Sequence, residues 1–275
     1  MNNPLSPIGI FDSGVGGLSV LRAIRAQLPA EEVVYFADQV HVPYGPRPLE
    51  EVRMFSDSIT RFLLGYEAKL IVVACNAASA AALQSLRQTF PDIPFIGMEP
   101  AIKPAAEVTR SGVVGVLATP ATFQGALYAS VVTRFASHVK LLQSTCPGLV
   151  QQIEHGEMEA AETRRILEEA LQPMLADGID TIVLGCTHYP FVIPLIREIA
   201  GEGVRVIDPA PAIAFQVGRL LRAGKMLNEQ TAGAGSGRLR FFTSGEAKNF
   251  ASLLPRLLGE TGEVVHVDWS GDKIV

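Results

Sequence analysis

Short apolar runs that do not alternate with polar residues set the tightest limit on how this chain can fold. LIVVA at 70–74 and TIVLG at 181–185 are the clearest of them. A strand with one wet face reads with a period of two, whereas a strand covered on both faces reads as a solid apolar run, the mark of a parallel sheet between layers of helices. Such runs predict strands near Ile8–Phe11, Val33–Ala37, Leu70–Ala74, Phe95–Gly97, Val113–Ala118, Val139–Leu142, Thr181–Gly185, Val204–Ile207, Leu239–Thr243 and Val264–Val267. Stretches of helical period separate most of them, so the expected class is α/β with mostly parallel sheets.

The sequence also repeats itself. LIVVACNAAS and TIVLGCTHYP align on Cys75 and Cys186, 111 positions apart, and FIGMEPAI and VIDPAPAI align on Ile102 and Ile213 at the same spacing. IGIF and VGVL align on Gly9 and Gly115, 106 apart. Three segments in one order at nearly one spacing predict two similar α/β domains, pseudo-symmetric about a central cleft. The expected division is 1–98 plus 209–275 for the first domain and 99–208 for the second. The last piece, with its Gly/Ala/Ser loop at 231–237, is too small for a core of its own and is expected to fold back onto the first unit.

Composition narrows the function. A chain of 275 residues is long enough for two cores, and 28 acidic against 23 basic residues leave a net charge of −5. That balance argues against a nucleic acid or an anionic membrane as the main partner. The start, MNNPLSPIGIF, does not resemble a signal peptide, and no run approaches the ~18 apolar residues of a membrane span. Three cysteines, Cys75, Cys146 and Cys186, cannot all pair within the chain and show no zinc spacing. Reduced thiols and a cytoplasmic location are the expectation.

In open α/β sheets ligands bind beyond the carboxyl ends of the strands. Asp12-Ser13-Gly14 with Gly16-Gly17 stands there, ahead of LSVLRAIRAQL, and reads either as a tight turn or as a loop whose amides cradle an anion. GVGG is a poor dinucleotide fingerprint, although Asp38 lies at roughly the distance of a ribose-binding acid. Cys75-Asn76 and Cys186-Thr187-His188 both stand at expected strand-to-helix junctions. A single buried cysteine is ordinarily a small hydrophobe. Two at equivalent places in facing units become candidates for an acid and a base, their pKa lowered by helix N-termini or by His188. Cys146 has no counterpart and reads as a bystander. Pro43-Tyr44-Gly45 reads as a turn whose phenol and free amide can meet a ligand. Glu154, in LVQQIEHGE, reads on its own as a solvated helix residue, like the charged stretch Glu157–Glu169.

Together, IGIFDSGVGGLSVL, YFADQVHVPYG, VVACNAAS, GLVQQIEHG, LGCTHYP and VIDPA resemble the cofactor-independent glutamate racemases of the aspartate/glutamate racemase superfamily, from Ile8 to Gly245. The resemblance implies interconversion of L- and D-glutamate by two bases, with no pyridoxal phosphate and no metal. By it, Cys75 takes the proton from D-glutamate and Cys186 from L-glutamate. Asp12 assists the first thiol, and Glu154 with His188 the second. It implies substrate contacts at Asp12, Ser13, Tyr44, Gly45, Asn76, Thr187 and His188, a homodimer, and a supply of D-glutamate for peptidoglycan. The chemistry is consistent: without an electron sink, the carbanion-like state must be met by preorganised donors, and a thiol titrates near working pH. One departure is Ala77, where the family has threonine, with Ser79 one turn on as the candidate replacement hydroxyl. The short segment before Ile8 lacks the extension of members activated by a peptidoglycan precursor. Alternatives are a racemase of another amino acid such as aspartate, a thiol hydrolase using Cys186 and His188, and an anion- or nucleotide-binding module built on Asp12–Gly17.

Overall fold

The computed structural model describes residues 3–229 and 236–275; residues 231–235 of the expected Gly/Ala/Ser loop lie outside them. The strands are β1 (Ile8–Asp12), β2 (Val33–Ala37), β3 (Leu70–Val73), β4 (Phe95–Gly97), β5 (Val113–Ala118), β6 (Lys140–Ser144), β7 (Thr181–Gly185), β8 (Arg205–Ile207), β9 (Leu239–Thr243), β10 (Val264–His266), β11 (Trp269–Ser270) and β12 (Lys273–Ile274). Six of them form one sheet in the order β10-β9-β2-β1-β3-β4, and four form a second in the order β6-β5-β7-β8. Every neighbouring pair in both sheets is parallel.

The solid apolar runs mark strands covered on both sides. Every residue of β1, β2, β3 and β7 is buried. Successive side chains point to opposite faces. Ile8, Ile10, Tyr35 and Val72 therefore pack in one core with Leu18, Leu21 and Ile24 of the helix Leu18–Gln27. Phe11, Val34, Phe36 and Ile71 pack in another with Val52, Phe55, Ile59 and Leu63 of the helix Leu49–Gly65. The first of these cores continues through Leu117, Ile182, Leu184 and Ile196 into the second sheet's helices, so one apolar body joins the two units.

The repeated segments fall on matching places. The order β4-β3-β1-β2 is the order β8-β7-β5-β6, with Gly9 on β1 and Gly115 on β5. Cys75 follows β3 as Cys186 follows β7. Ile102 opens a helix after β4, and Ala210–Ala223, which holds Ile213, follows β8. The helix after β4 packs with Val114, Val116 and Val183 of the second sheet. Ala210–Ala223 packs back against Leu18–Gln27 of the first. The chain therefore changes units directly after β4 and again after β8.

Two expectations change. β6 starts one residue later and ends two residues later than the run Val139–Leu142 suggested, and it is only partly buried, as an edge strand. β11 and β12 form an antiparallel C-terminal hairpin that the sequence did not announce, because two-residue strands are too short to carry a period.

At the opposite ends of β2 and β3, Lys69 and Glu31 form an ion pair at 2.6 Å whose side chains are each 1% exposed. Lys69 Nζ also donates to Pro4 O, and the N–H of Asn228 donates to the other Glu31 oxygen. A buried pair stripped of one partner leaves an uncompensated charge. Glu31→Leu is expected to cost about 3–5 kcal/mol of stability, read by urea unfolding, while the double change Glu31→Leu with Lys69→Met regains most of that loss.

Candidate active site

The loop after β1 is built around carboxylates that belong to the chain itself. Asp12, fully buried at the end of β1, accepts the N–H groups of Gly17 at 2.9 Å and Gly14 at 3.3 Å. The next free amide, Val15 N–H, donates to Glu154 Oε1 at 2.7 Å. A Cβ on Gly14 would lie 1.9 Å from Glu154 Oε1, and one on Gly16 would lie 2.4 Å from His188 Nδ1. The glycines admit these two side chains, so the anion that the loop cradles is internal. That removes the basis for a phosphate or nucleotide module. Asp38 is removed with it: fully buried, its carboxylate is met by Tyr44 Oη, His41 Nδ1, Ser244 Oγ and Trp269 Nε1.

Cys75 caps the helix Asn76–Thr89, its sulfur accepting the N–H of Ala78 at 3.5 Å and lying 3.9 Å from Ser13 Oγ. Burial, and then the nearby Asp12, push this thiol well above its ordinary range, and the helix N–H only partly opposes them. A pKa lowered by the helix terminus, as the sequence suggested, is thus not what the surroundings of Cys75 produce. Burial likewise raises the carboxyl of Asp12, with the charge of His188 pulling the other way.

Cys186 is surrounded differently. No α-helix starts at it; a 3-10 turn, Tyr189–Val192, intervenes before the helix Ile193–Ala200. Its sulfur lies 3.8 Å from His188 Nδ1, and His188 Nε2 lies 2.6 Å from Glu154 Oε1. Burial alone would lower the imidazole. Its bonds to Cys186 and Glu154 outweigh that, and His188 is raised well above its ordinary value. Glu154 is not the solvated residue its helix pattern suggested, since its side chain is 7% exposed. Local periodicity could not show this, because its partners lie far away in sequence, Val15 among them at a separation of 139 residues.

Cys75 and Cys186 line one cavity with Ser13, Pro43, Tyr44, Gly45, Asn76, Ala77, Thr119, Val150, Thr187 and His188. Its volume of about 20 Å³ leaves room for one or two waters, so the cleft is narrow. Both polar atoms of the Asn76 side chain are buried and without a protein partner, the state of a group that waits for a ligand. Thr187 Oγ1 lies 3.4 Å from Asp12 Oδ1, and its carbonyl accepts from Ser19 Oγ at 2.9 Å.

Several side chains behave otherwise than the sequence suggested. Tyr44 lines the cavity, but its hydroxyl donates to Asp38 at 2.5 Å, so the free phenol expected there is already engaged. Ser79 donates to Val73 O and accepts the N–H of Met98, which leaves no hydroxyl to stand in for the one missing at Ala77. Thr119 and Val150 were not anticipated. The signal for Thr119 was present, since it follows β5 as Ser13 follows β1, at the 106-residue spacing of Gly9 and Gly115. Cys146 borders an adjoining recess of about 210 Å³, and burial pushes its thiol up to about 12, so it keeps its proton. Among the described residues, no group of three or more His, Cys, Asp or Glu is placed to hold a metal ion. No helix among them is long and apolar enough to cross a membrane.

A model of the Asp/Glu/hydantoin racemase family matches residues 8–217. The chain is 48% identical over 264 residues to the glutamate racemase of Ectopseudomonas mendocina, covering 96% of this chain and 99% of that one. The structure superposes on a glutamate racemase isoform of Bacillus anthracis with a TM-score of 0.84 at 36% identity, covering 96% and 97% of the two chains. It also superposes on the glutamate racemase of Francisella tularensis in complex with D-glutamate, with a TM-score of 0.82 at 29% identity and coverage of 97% and 98%. A duplicated parallel α/β architecture with a cysteine at each matching strand end, together with these relatives, places the chain in the Asp/Glu/hydantoin racemase family, among its glutamate racemases.

Proposed function

We propose that the protein interconverts L- and D-glutamate by moving a proton at Cα between two thiols. The observation that carries this reading is the one narrow cavity lined by both Cys75 and Cys186, with the unpartnered amide of Asn76 in its lining. An α-proton of an amino acid is weakly acidic, so the site must stabilise charge as it spreads onto the α-carboxylate. Backbone N–H groups at Ser13, Asn76 and Thr187, the Asn76 amide and the hydroxyls of Ser13 and Thr187 supply donors for it; Tyr44 and Gly45 contribute through the backbone. Cys186 is the base toward L-glutamate, and the His188 imidazolium beside it stabilises its thiolate. Cys75, held as a thiol by burial and Asp12, delivers its own proton to the opposite face and becomes the thiolate, while the abstracted proton stays on Cys186; for D-glutamate the roles reverse. Glu154, accepting from His188 Nε2, fixes the orientation of the ring and balances its charge.

The wider setting follows from the same reading. We infer that the D-glutamate the protein makes serves peptidoglycan, and that it works in the cytoplasm as a homodimer. We also infer that the units divide at 1–98 plus 209–275 and 99–208, supported by the chain crossings after β4 and β8.

In deuterated water, either enantiomer is expected to gain deuterium at Cα as it inverts, read by NMR. Cys75→Ser and Cys186→Ser are each expected to lower turnover by at least about 10²–10⁴-fold. Full racemisation by either variant overturns the two-thiol mechanism, and a burst of released alcohol from ester substrates in Cys75→Ser, with the acyl group left on Cys186, supports a hydrolase instead. The pH dependence has a definite sign. Because His188 is raised, its imidazolium persists through neutral pH and is lost only as pH climbs through that raised value, so kcat/KM should fall on the alkaline side. In His188→Asn the rate is expected to be low already at neutral pH, with that alkaline fall flattened. Gly14→Ala, whose methyl displaces the Glu154 carboxylate, is expected to lose activity about as Glu154→Ala does. Gly65→Ala, with open space around its Cβ, retains activity in the same assay.

A further inference from the structure

Glu154 lies on the helix Leu149–Glu154 of the second unit, yet two of its partners come from the first. Besides His188, its carboxylate takes the N–H of Val15, after β1, and the side-chain amide of Gln39, after β2, whose Nε2 donates to Glu154 Oε2 at 2.8 Å. The Gln39 amide has one orientation open to it. Its Oε1 accepts from Thr243 Oγ1 at 2.9 Å, which turns Nε2 toward Glu154, and the Thr243 hydroxyl in turn accepts the N–H of Gly245 at 3.0 Å. Thr243 is fully buried at the end of β9. Gln39 does not line the cavity that holds the two cysteines. Its influence on a bound molecule must therefore pass through Glu154 and His188.

We propose that Gln39 is a positioning residue for the Cys186 side of the reaction. Oriented by Thr243, it holds the Glu154 carboxylate against His188 across the junction of the two units, and so keeps the ring aimed at Cys186. The proposal rests on the racemase reading above. Three donors converge on one carboxylate of low exposure, and withdrawing one leaves an acceptor short inside the protein. The titratable groups facing that carboxylate are His188, Asp12, Tyr35 and, beyond His188, Cys186.

The test is steady-state racemisation of glutamate by the full-length protein. Gln39→Leu is expected to lower kcat about 10- to 100-fold, the scale of one hydrogen bond to a charged group, with KM within about twofold. In a Glu154→Ala background the same change adds nothing. Gln39→Glu supplies a donor only when its carboxyl is protonated, so its rate relative to wild type should rise as the pH is lowered; the Gln39→Leu ratio does not. Dividing by wild type removes the titration of the other groups. Thr243→Val, which frees the Gln39 amide without deleting it, should show a smaller loss of the same KM-preserving kind, and covers the case in which Gln39→Leu does not fold. The proposal is overturned if wild type racemises glutamate while Gln39→Leu keeps its kcat, or if the Gln39 and Glu154 losses multiply in the double variant. A wild-type protein that does not racemise glutamate overturns the functional reading beneath it as well.

Discussion

Burying two carboxylates at the edge of a parallel sheet obliges the chain to bring donors to them, and much of the candidate site follows from that obligation. An ionised carboxyl out of water is costly unless hydrogen bonds replace its hydration. Asp12 and Glu154 are met by the amides of Gly14, Gly17 and Val15, which a loop can present only if it lies flat against them. Flatness in turn requires glycine where the Glu154 and His188 side chains press in. The loop that looks from its composition like a cradle for a bound anion is therefore the seat of the protein's own acid-base groups.

The duplication of the fold is not matched by duplication of the chemistry. β3 and β7 end in cysteines at equivalent places, but one sulfur caps an α-helix beside Asp12 while the other faces an imidazole tied to Glu154. Burial acts on both halves. Only the His188 side answers it with a cation, and Cys75 is left beside an acid that favours the protonated thiol. A symmetric scaffold can thus bring two cysteines to one cavity and still surround them differently. Asp38 shows the same economy of buried charge at second remove, gathering the nearby Tyr44 and the distant Ser244 and Trp269 around one carboxylate.

Much of the fold was legible from residues alone. Five strands, Val33–Ala37, Phe95–Gly97, Val113–Ala118, Thr181–Gly185 and Leu239–Thr243, coincide with their apolar runs, because a strand buried on both faces must be apolar throughout. The terminal hairpin was not legible, because Trp269–Ser270 and Lys273–Ile274 are held by pairing and by an indole bond to Asp38, neither of which leaves a periodic trace. Among site residues, Cys75, Cys186, Ser13, Asn76, Thr187 and His188 come to one cavity, as the strand-end rule and the repeat led one to expect. Glu154 and Gln39 could not be weighed from their own neighbourhoods, since both look like ordinary polar residues of a helix or turn. Tyr44 and Ser79 misled for the same reason, as a hydroxyl's partner is set by what lies opposite it in space.

The sequence by itself determined the α/β class, the positions of most strands and the correspondence between the two cysteine-bearing strand ends. All of these are local patterns or comparisons of one local pattern with another. Only the tertiary structure decided which donors meet which carboxylates, and hence that the glycine loop serves Asp12 and Glu154, that His188 sits between Cys186 and Glu154, which raise it, and that Asp38 is a structural node. The physical reason is distance along the chain. Val15 and Glu154 are 139 residues apart, and Gln39 and Thr243 are 204 apart. Electrostatics and burial depend on what surrounds a group in space, and no window of sequence contains those surroundings.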